Sequence, residues 1–333
     1  MLQNAVNRHD VARLARKLSR GQLRRVAGKL RMRSTDRVVA NWSDLRRPPD
    51  QWWDIPEMHR RWSTFASGDP DVSFPQHVAR TWLAGRPGLR ALSLGCGTGE
   101  RELAWARTGA FAQIIGIDVA REAVRYGTDQ ARIAGLDDIL SFRVADFRQV
   151  LAAGERYDAV LGLQALHHFD RIDETMRQIA GLIAEDGLLL FDEFVGPTKF
   201  QWSAAQLRSA NALLAALPPE RRTGHDGRVK RSVYRPSLLS MRLDDPSEAI
   251  EAAELRPALH RWFEILEERP YGGTVLHIAL SGIAHNLAGD DPETRRLLAQ
   301  CYAAEDQALP ELGHDFMFAV ARPRVLVAQP QPS

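Results

Sequence analysis

The 333-residue chain has little cysteine, no long apolar run and almost no net charge. Two cysteines, Cys96 and Cys301, are too few for a disulfide framework or a four-cysteine zinc site, and they favour a reduced, cytoplasmic compartment. No run approaches the roughly 18 apolar residues of a membrane-spanning helix. The N-terminus is charged and has no apolar stretch after it, so no secretory signal is predicted.

What is present is an ordinary globular composition, with 44% hydrophobic and 26% charged residues. A globular chain of this length can bury a large core without disulfide or metal staples. Its length fits either about two domains or one large α/β domain with insertions.

The net charge of +2 hides an uneven distribution. Residues 1–37 hold eleven Lys or Arg and two Asp, a net +9, so the remaining residues carry −7. Val11, Leu14 and Leu18 recur at helical spacing within this segment. The pattern predicts a basic amphipathic extension that contacts an anionic surface, either a membrane or nucleic acid. The alternative is a solvated helix that packs on its own acidic domain.

Between residues 90 and 195, short β-rich runs alternate with helical stretches, which is typical of βαβ units and a parallel sheet. The predicted strands are Ala91–Cys96, Ile114–Asp118, Leu140–Asp146, Ala159–Gln164 and Leu188–Phe194. The predicted organisation is therefore a basic extension (1–37), a helical cap (38–89), the core (90–195), a helical insertion or substrate lid (196–260), closing strands with a helical insertion (261–325) and a disordered tail (326–333).

Polar and glycine residues stand at the ends of three successive predicted strands. Leu94-Gly95-Cys96-Gly97-Thr98-Gly99 is a glycine turn that leads into a helix, where backbone passes close to a ligand. Asp118 ends the next strand, where a carboxylate can accept both hydroxyls of a ribose. Asp146, followed by Phe147, ends the third strand. Because ligands bind at the carboxyl ends of such sheets, one shared site is predicted.

This series, together with Gln164-Ala165-Leu166-His167-His168-Phe169, resembles the motifs of class I S-adenosylmethionine-dependent methyltransferases. The resemblance implies a Rossmann-like, doubly wound, seven-stranded sheet that is mostly parallel with an antiparallel last strand, with helical insertions before the last two strands. It implies S-adenosylmethionine as cofactor, S-adenosylhomocysteine as product, and these cofactor-binding residues: Ser93, Gly95, Cys96, Gly97, Gly99, Asp118, Val119, Asp146, Phe147 and Gln164. One departure is Ser93, which stands where the family usually has an acid.

Candidate catalytic residues are His167, His168 and Glu193, near the ends of the fourth and fifth strands, with Asp192 beside them. A base is needed only if the acceptor is weakly acidic. The alternatives are that a histidine braces the loop and that Glu193 pairs with an arginine. No metal site is predicted. A polar, basic stretch in the insertion is a candidate lid over an anionic or sugar-like acceptor, and the alternative is a solvated loop: His225, Arg228, Lys230, Arg231 and Tyr234.

The function predicted from these residues is in-line methyl transfer to an O, N or C nucleophile of a small-molecule acceptor of natural-product or saccharide type. One alternative is a nucleic-acid methyltransferase, favoured by the basic extension. Another is a cofactor-binding member of the same fold that does not methylate. The sequence assigns no oligomeric state.

Overall fold

A computed structural model of the chain describes residues 50–324, except for the side chains of 243 and 244. The predicted basic extension (1–37) and tail (326–333) lie outside the described residues. One seven-stranded sheet, in the order β3-β2-β1-β4-β5-β7-β6, organises this range. Its strands are β1 (Leu89–Leu94), β2 (Phe111–Asp118), β3 (Leu140–Val144), β4 (Tyr157–Leu163), β5 (Ile183–Phe194), β6 (Phe263–Pro270) and β7 (Phe316–Pro323).

The pairing of the strands confirms the predicted fold class. Strands β1 to β5 pair in parallel, whereas β7 inserts between β5 and β6 and runs antiparallel to both. The chain enters β6 after an insertion of helices, and a second helical insertion separates β6 from β7. The last strand is therefore antiparallel, and helical insertions precede the last two strands, as predicted.

Helices cover both faces of the sheet, because neighbouring strand residues point to opposite sides. On β1, Ala91 belongs to one buried apolar cluster and Leu92 to the other. The helices are α1 (Pro56–Ser67), α2 (Phe74–Thr81), α3 (Glu100–Ala106), α4 (Arg121–Ile133), α5 (Phe147–Ala153), α6 (Ile172–Leu182), α7 (Ala204–Ala216), α8 (Leu238–Asp244), α9 (Ala252–Trp262), α10 (Leu276–Leu280) and α11 (Pro292–Leu312).

Two local features differ from what the residue pattern predicts. Asp170 precedes the apolar positions of α6 and is predicted to cap that helix, but its carboxylate pairs with Arg148, and Arg171 takes the capping position in a left-handed conformation. The pattern of residues 274–287 predicts one helix. They form α10 and a short 3₁₀ turn, separated at Gly282, whose φ of 80° does not continue a helix.

Within residues 50–324, no helix is long and apolar enough to cross a membrane.

Two glycines, one packed within the sheet and one on an open helix face, test how tightly the sheet packs. A Cβ on Gly116 of β2 would lie 2.6 Å from the Phe142 ring and 3.0 Å from Cys96, whereas a Cβ on Gly181 of α6 would meet nothing within 4 Å. We expect Gly116→Ala to lower the free energy of unfolding by about 1–3 kcal/mol through overpacking.

The matched control, Gly181→Ala, should raise the free energy of unfolding by up to about 1 kcal/mol, because alanine favours the helix. Urea denaturation followed by circular dichroism measures both changes. Equal effects of the two substitutions would contradict the packing around Gly116.

Candidate functional site

The candidate site lies at the carboxyl ends of β1 and β4, where the strand order reverses. In open α/β sheets this reversal opens a crevice between the loops that follow the two strands. The loops meet closely here, since a Cβ on Gly95 would lie 2.7 Å from the Cβ of Ala165. The glycine turn after β1 and the residues after β4 therefore form neighbouring walls of one crevice.

The glycine turn leaves part of its backbone uncovered. Gly95, Gly97 and Gly99 have φ angles of 65°, 51° and 77°, in the left-handed region that favours glycine. A Cβ on Gly99 would clash with the Phe142 ring at 2.3 Å, whereas one on Gly97 would meet nothing within 4 Å. Gly99 is thus needed for packing, and Gly97 presents backbone to open space.

Cys96, between the first two glycines, fills space in the turn. Its side chain is buried, and burial raises the pKa of its thiol far above the ordinary value. A thiol with a raised pKa is a poor nucleophile. Cys96 is therefore placed to shape the turn rather than to react.

Asp118 joins the turn to the next loop. Its carboxylate accepts the Gly97 N–H at 2.9 Å through one oxygen and the Ala120 N–H at 2.7 Å through the other. A carboxylate has about four lone-pair positions, so it can accept further donors. The neighbouring Val119 is 43% exposed, which places an apolar side chain in the open beside this carboxylate.

Ser93, where the family usually has an acid, contacts a carboxylate from the following helix. Its hydroxyl donates to Glu102 of α3 at 2.6 Å, and both side chains are buried. The second oxygen of Glu102 is buried without a hydrogen-bond partner. Burial raises the pKa of Glu102 to about 7. An acid thus lies next to position 93, although the sequence motif does not supply it.

Asp146 begins α5 as a helix cap. Its carboxylate accepts the Arg148 N–H at 2.8 Å, and the side chain of Gln149 returns a bond to the Asp146 N–H. The following Phe147 is buried, with its ring 5.7 Å from that of Phe169. Asp146 and Phe147 thus lie at the predicted strand end, where the first caps α5 and the second packs near Phe169.

A hydrogen-bond network crosses the ends of β4 and β5. The Gln164 amide donates to Asp192 at 2.9 Å and to the Tyr271 hydroxyl at 3.0 Å, and that hydroxyl donates to Asp192 at 2.7 Å. Arg101 of α3 lies 3.4 Å from the other oxygen of Asp192. Burial raises the pKa of Asp192, and burial followed by the nearby Asp192 raises that of Tyr271. Gln164 itself has a φ of 58°, a strained conformation for a non-glycine residue.

Glu193 at the end of β5 holds the loop after β4. One carboxylate oxygen accepts the N–H groups of Ala165 and Leu166, both at 2.6 Å, and the other lies 2.7 Å from His167 Nδ1. Glu193 is fully buried. Burial alone would lower the pKa of His167, but the Glu193 carboxylate outweighs it and raises that pKa. Of the predicted catalytic residues, His167 and Glu193 are therefore joined directly.

His168 and Glu248 complete the surroundings of His167. The two imidazole rings lie 4.3 Å apart, and His168 Nδ1 is 3.2 Å from the Ser247 hydroxyl. Burial, followed by the neighbouring His167, lowers the pKa of His168. Glu248 Oε1 lies 3.7 Å from His167 Nε2. Glu248 also lines a cavity of about 230 Å³, together with Lys199, Met241, Arg242, Asp245 and Pro246.

The predicted basic lid is partly anchored to the protein. Lys230 Nζ points inward and donates to the carbonyls of Ile278, Ala279 and Ser281, and burial lowers the pKa of Lys230 to about 8. His225 stacks on His285 with ring centroids 3.7 Å apart. Within this stretch, Lys230 therefore does not present its ammonium to a ligand, because that group caps three backbone carbonyls.

Sequence reasoning missed Glu102, Tyr271 and Glu248. Glu102 carries a local signal, since an acid on the first turn of α3 can reach back to β1. Tyr271 and Glu248 follow long insertions, and no spacing in the sequence relates them to β4. Only the folded chain brings these two residues to the site.

Comparisons with known proteins agree with the motif series. Residues 86–236 match a family model described as a methyltransferase domain. The chain is 27% identical over 177 residues to 27-O-demethylrifamycin SV methyltransferase of Amycolatopsis mediterranei, a match that spans 50% of this chain and 63% of that protein. It is 29% identical over 108 residues to methyltransferase GfsG of Streptomyces halstedii, spanning 32% of this chain and 38% of that protein.

A third relative, erythromycin 3''-O-methyltransferase of Saccharopolyspora erythraea, is 22% identical over 61% of this chain and 66% of its own length. Together, these matches span between about two fifths and two thirds of the relatives' lengths. Among solved structures, an S-adenosylmethionine-dependent methyltransferase from Geobacter sulfurreducens with bound S-adenosylhomocysteine has a TM-score of 0.42 and 16% identity, covering 86% of this chain and 98% of that one.

The buried Glu102 carboxyl should make stability depend on pH. Its pKa is raised from 4.5 to about 7 in the folded chain, so folding favours its protonated form. The stabilisation is complete below about pH 4.5 and is lost as the pH rises through 7. Glu102→Gln mimics the protonated form. We expect its free energy of unfolding to exceed that of the wild type by an amount that grows from pH 5 to pH 8 and reaches roughly 3 kcal/mol.

Urea denaturation at several pH values measures this difference. Asp315, whose pKa burial also raises to about 7, is present in both chains and should shape both pH curves equally. Parallel curves for the wild type and Glu102→Gln would contradict the assignment.

Proposed function

We propose that this chain, a member of the class I S-adenosylmethionine-dependent methyltransferases through its domain at residues 86–236, methylates a hydroxyl oxygen of a small-molecule acceptor. The names of two relatives support this acceptor class, since one is an erythromycin 3''-O-methyltransferase and the other a 27-O-demethylrifamycin SV methyltransferase. Both names specify a small molecule and an oxygen position.

The observation that carries the proposal is the open glycine turn beside Asp118. Gly97 exposes its backbone, Asp118 retains lone pairs for a ribose diol, and Val119 offers an apolar surface for a base. These features fit S-adenosylmethionine. When bound, this cofactor supplies an electrophilic methyl group on a sulfonium sulfur. The neutral thioether that remains after transfer is an excellent leaving group. The protein therefore needs to align the acceptor and exclude water.

The other predicted cofactor residues fall into two groups under this proposal. Ser93, Gly95, Cys96 and Gly99 shape the turn from beneath, through close packing and the bond to Glu102. Gln164, Asp146 and Phe147 border the crevice along the ends of β4 and β3. We assign adenine to the Asp146 corner, where the carboxylate is about half exposed although it also caps α5.

The acceptor belongs on the side of β4 and β5, across the crevice from the ribose. His167, held by Glu193, and His168, held by Ser247, stand there, and the bonded pair Asp192 and Tyr271 lies at the ends of β5 and β6. Glu193 already accepts two backbone N–H groups and one imidazole, so we assign it to positioning rather than to proton transfer. The two histidines are the side chains that we expect to approach the acceptor.

A nucleic-acid acceptor is disfavoured by the residues after β4. Superfamily members that methylate base amines usually carry Asn or Asp followed by Pro-Pro and an aromatic residue, whereas this chain reads Gln164-Ala165-Leu166-His167. The basic residues of 1–37 are the feature that favours this alternative. Including RNA among the tested acceptors distinguishes the two functions.

Two measurements test the proposed function. Calorimetry with S-adenosylmethionine should give saturable binding, and its absence at millimolar cofactor would rule out the assignment. Formation of S-adenosylhomocysteine should then require a phenolic, sugar or macrolide alcohol. Binding without any product across these acceptors would favour a member of the fold that does not methylate.

Replacement of Asp118 should weaken cofactor binding. We expect Asp118→Ala to cost roughly 1–3 kcal/mol of binding free energy, because it removes acceptors for the ribose and the brace on Gly97. The control is Asp129→Ala, which removes the same charge from the exposed face of α4, where Asp129 pairs with Arg132. Calorimetric affinities that match in the two variants would place the ribose elsewhere.

A further inference from the structure

Three side chains from two distant parts of the sequence converge above the end of β4. One ligating atom from each of His167, His168 and Glu248 lies within 4.8 Å of the other two. His167 Nε2 and Glu248 Oε1 are 3.7 Å apart, too far for a hydrogen bond. Two atoms bound to one tetrahedral zinc ion at about 2.1 Å are about 3.4 Å apart. The spacing of the pair therefore suits a shared ion better than a direct bond.

The orientation of His167 is typical of a metal ligand. Its Nδ1 bonds to the fully buried Glu193 carboxylate at 2.7 Å, which turns Nε2 toward Glu248. Histidines that bind metals usually donate their other ring N–H to a carboxylate or carbonyl, which fixes the tautomer and makes the ligating nitrogen more basic. Glu193 is itself held by two backbone N–H groups, so this outer support is rigid.

Glu248 is held over the histidines by a strained turn. Ile250 N–H donates to the His167 carbonyl at 3.1 Å, and Lys199 N–H donates to the Ala249 carbonyl at 2.6 Å. Ala249 and Lys199 have φ angles of 49° and 52°, which cost free energy for residues with a Cβ. Such strain persists where surrounding contacts enforce it, and here those contacts fix Glu248 beside His167.

Two carboxylates flank the single imidazole of His167, with Glu193 Oε2 at 2.7 Å from Nδ1 and Glu248 Oε1 at 3.7 Å from Nε2. Glu193 is fully buried, whereas the side chain of Glu248 is 24% exposed. One imidazole balances at most one of these two charges, and a cation between His167 and Glu248 would balance the other.

We propose that His167, His168 and Glu248 bind one divalent transition-metal ion of the zinc class, with Glu193 supporting His167 from outside. Two imidazoles and one carboxylate form the three-ligand set found in catalytic zinc sites, which keep a further position open. Imidazole ligands favour zinc and its neighbours over Mg²⁺, which prefers oxygen donors. Because Glu248 also lines the 230 Å³ cavity, the site adjoins this cavity.

The role of the ion rests on the proposed function. An acceptor hydroxyl that binds at the open position becomes more acidic, as water does on zinc. On loss of its proton to a water molecule, the hydroxyl oxygen would keep the O–H electron pair and attack the methyl group, whose bond to sulfur would break to leave S-adenosylhomocysteine. The ion would lower the pKa of the hydroxyl, so a weak proton acceptor would suffice for this step.

Metal binding is tested directly on the tag-free full chain. After treatment with a chelator, the protein is titrated with Co²⁺ and Zn²⁺ and dialysed, and its metal content and cobalt absorption spectrum are measured. We expect one ion per chain and ligand-field bands of a low-coordinate nitrogen and oxygen site. Glu248→Gln and His168→Ala should each weaken binding by at least about tenfold.

The matched controls are Glu254→Gln and His260→Asn, two exposed positions on α9 that should leave metal affinity unchanged. Near-ultraviolet circular dichroism and S-adenosylmethionine affinity report whether each variant is folded. Stoichiometric metal in the wild type and its loss in the two ligand variants support the site. Metal content no higher than background, or affinities equal to those of the controls, would overturn it.

The metal site and the proposed function can fail separately. If S-adenosylmethionine binds and methyl transfer continues with an excess of chelator, the metal proposal is wrong and the methyltransferase assignment stands. If S-adenosylmethionine does not bind, the assignment is wrong whatever the metal content. In that case, bound Co²⁺ would still identify the three-ligand site.

Discussion

The hydrogen bonds of the buried Glu193 carboxylate are the interactions on which the loop after β4, with its two histidines, depends. The carboxylate charge has no access to water, so it is stable only while the N–H groups of Ala165 and Leu166 and the ring of His167 surround it. The same three bonds fix the loop after β4. A carboxylate at the end of β5 thus fixes the direction of the His167 ring and holds the loop that carries both histidines.

Several acids at the carboxyl edge of the sheet combine support of a loop with proximity to the crevice. Asp118 connects the glycine turn to the loop after β2, Asp146 caps α5, and Asp192 joins β4, α3 and Tyr271. Parallel strands end with unpaired backbone N–H groups, and carboxylates are suitable acceptors for them. The loops are therefore rigid before a ligand arrives, which reduces the entropic cost of binding.

The two insertions contribute to the site as well as covering the sheet. The segment before β6 brings Glu248 onto His167, and the start of the segment between β6 and β7 brings Tyr271 onto Asp192. Ser93 shows the same compensation at short range, because Glu102 supplies the acid that the strand lacks. The strand motifs thus define the crevice, while residues outside them complete its electrostatics.

The sequence alone determined the βαβ units and the strand ends that carry Gly97, Asp118 and Gln164, because hydrophobic periodicity and glycine turns act over a few residues. The seven-stranded sheet followed from the resemblance of these motifs to a known family. The sequence also separated a basic extension from an acidic body behind a net charge of +2. The tertiary structure alone decided that Lys230 faces inward, that Glu193 braces rather than pairs with an arginine, and that Glu248 reaches His167. Those contacts join residues far apart in the chain. They depend on how the insertions pack against the sheet, and no local spacing in the sequence indicates that packing.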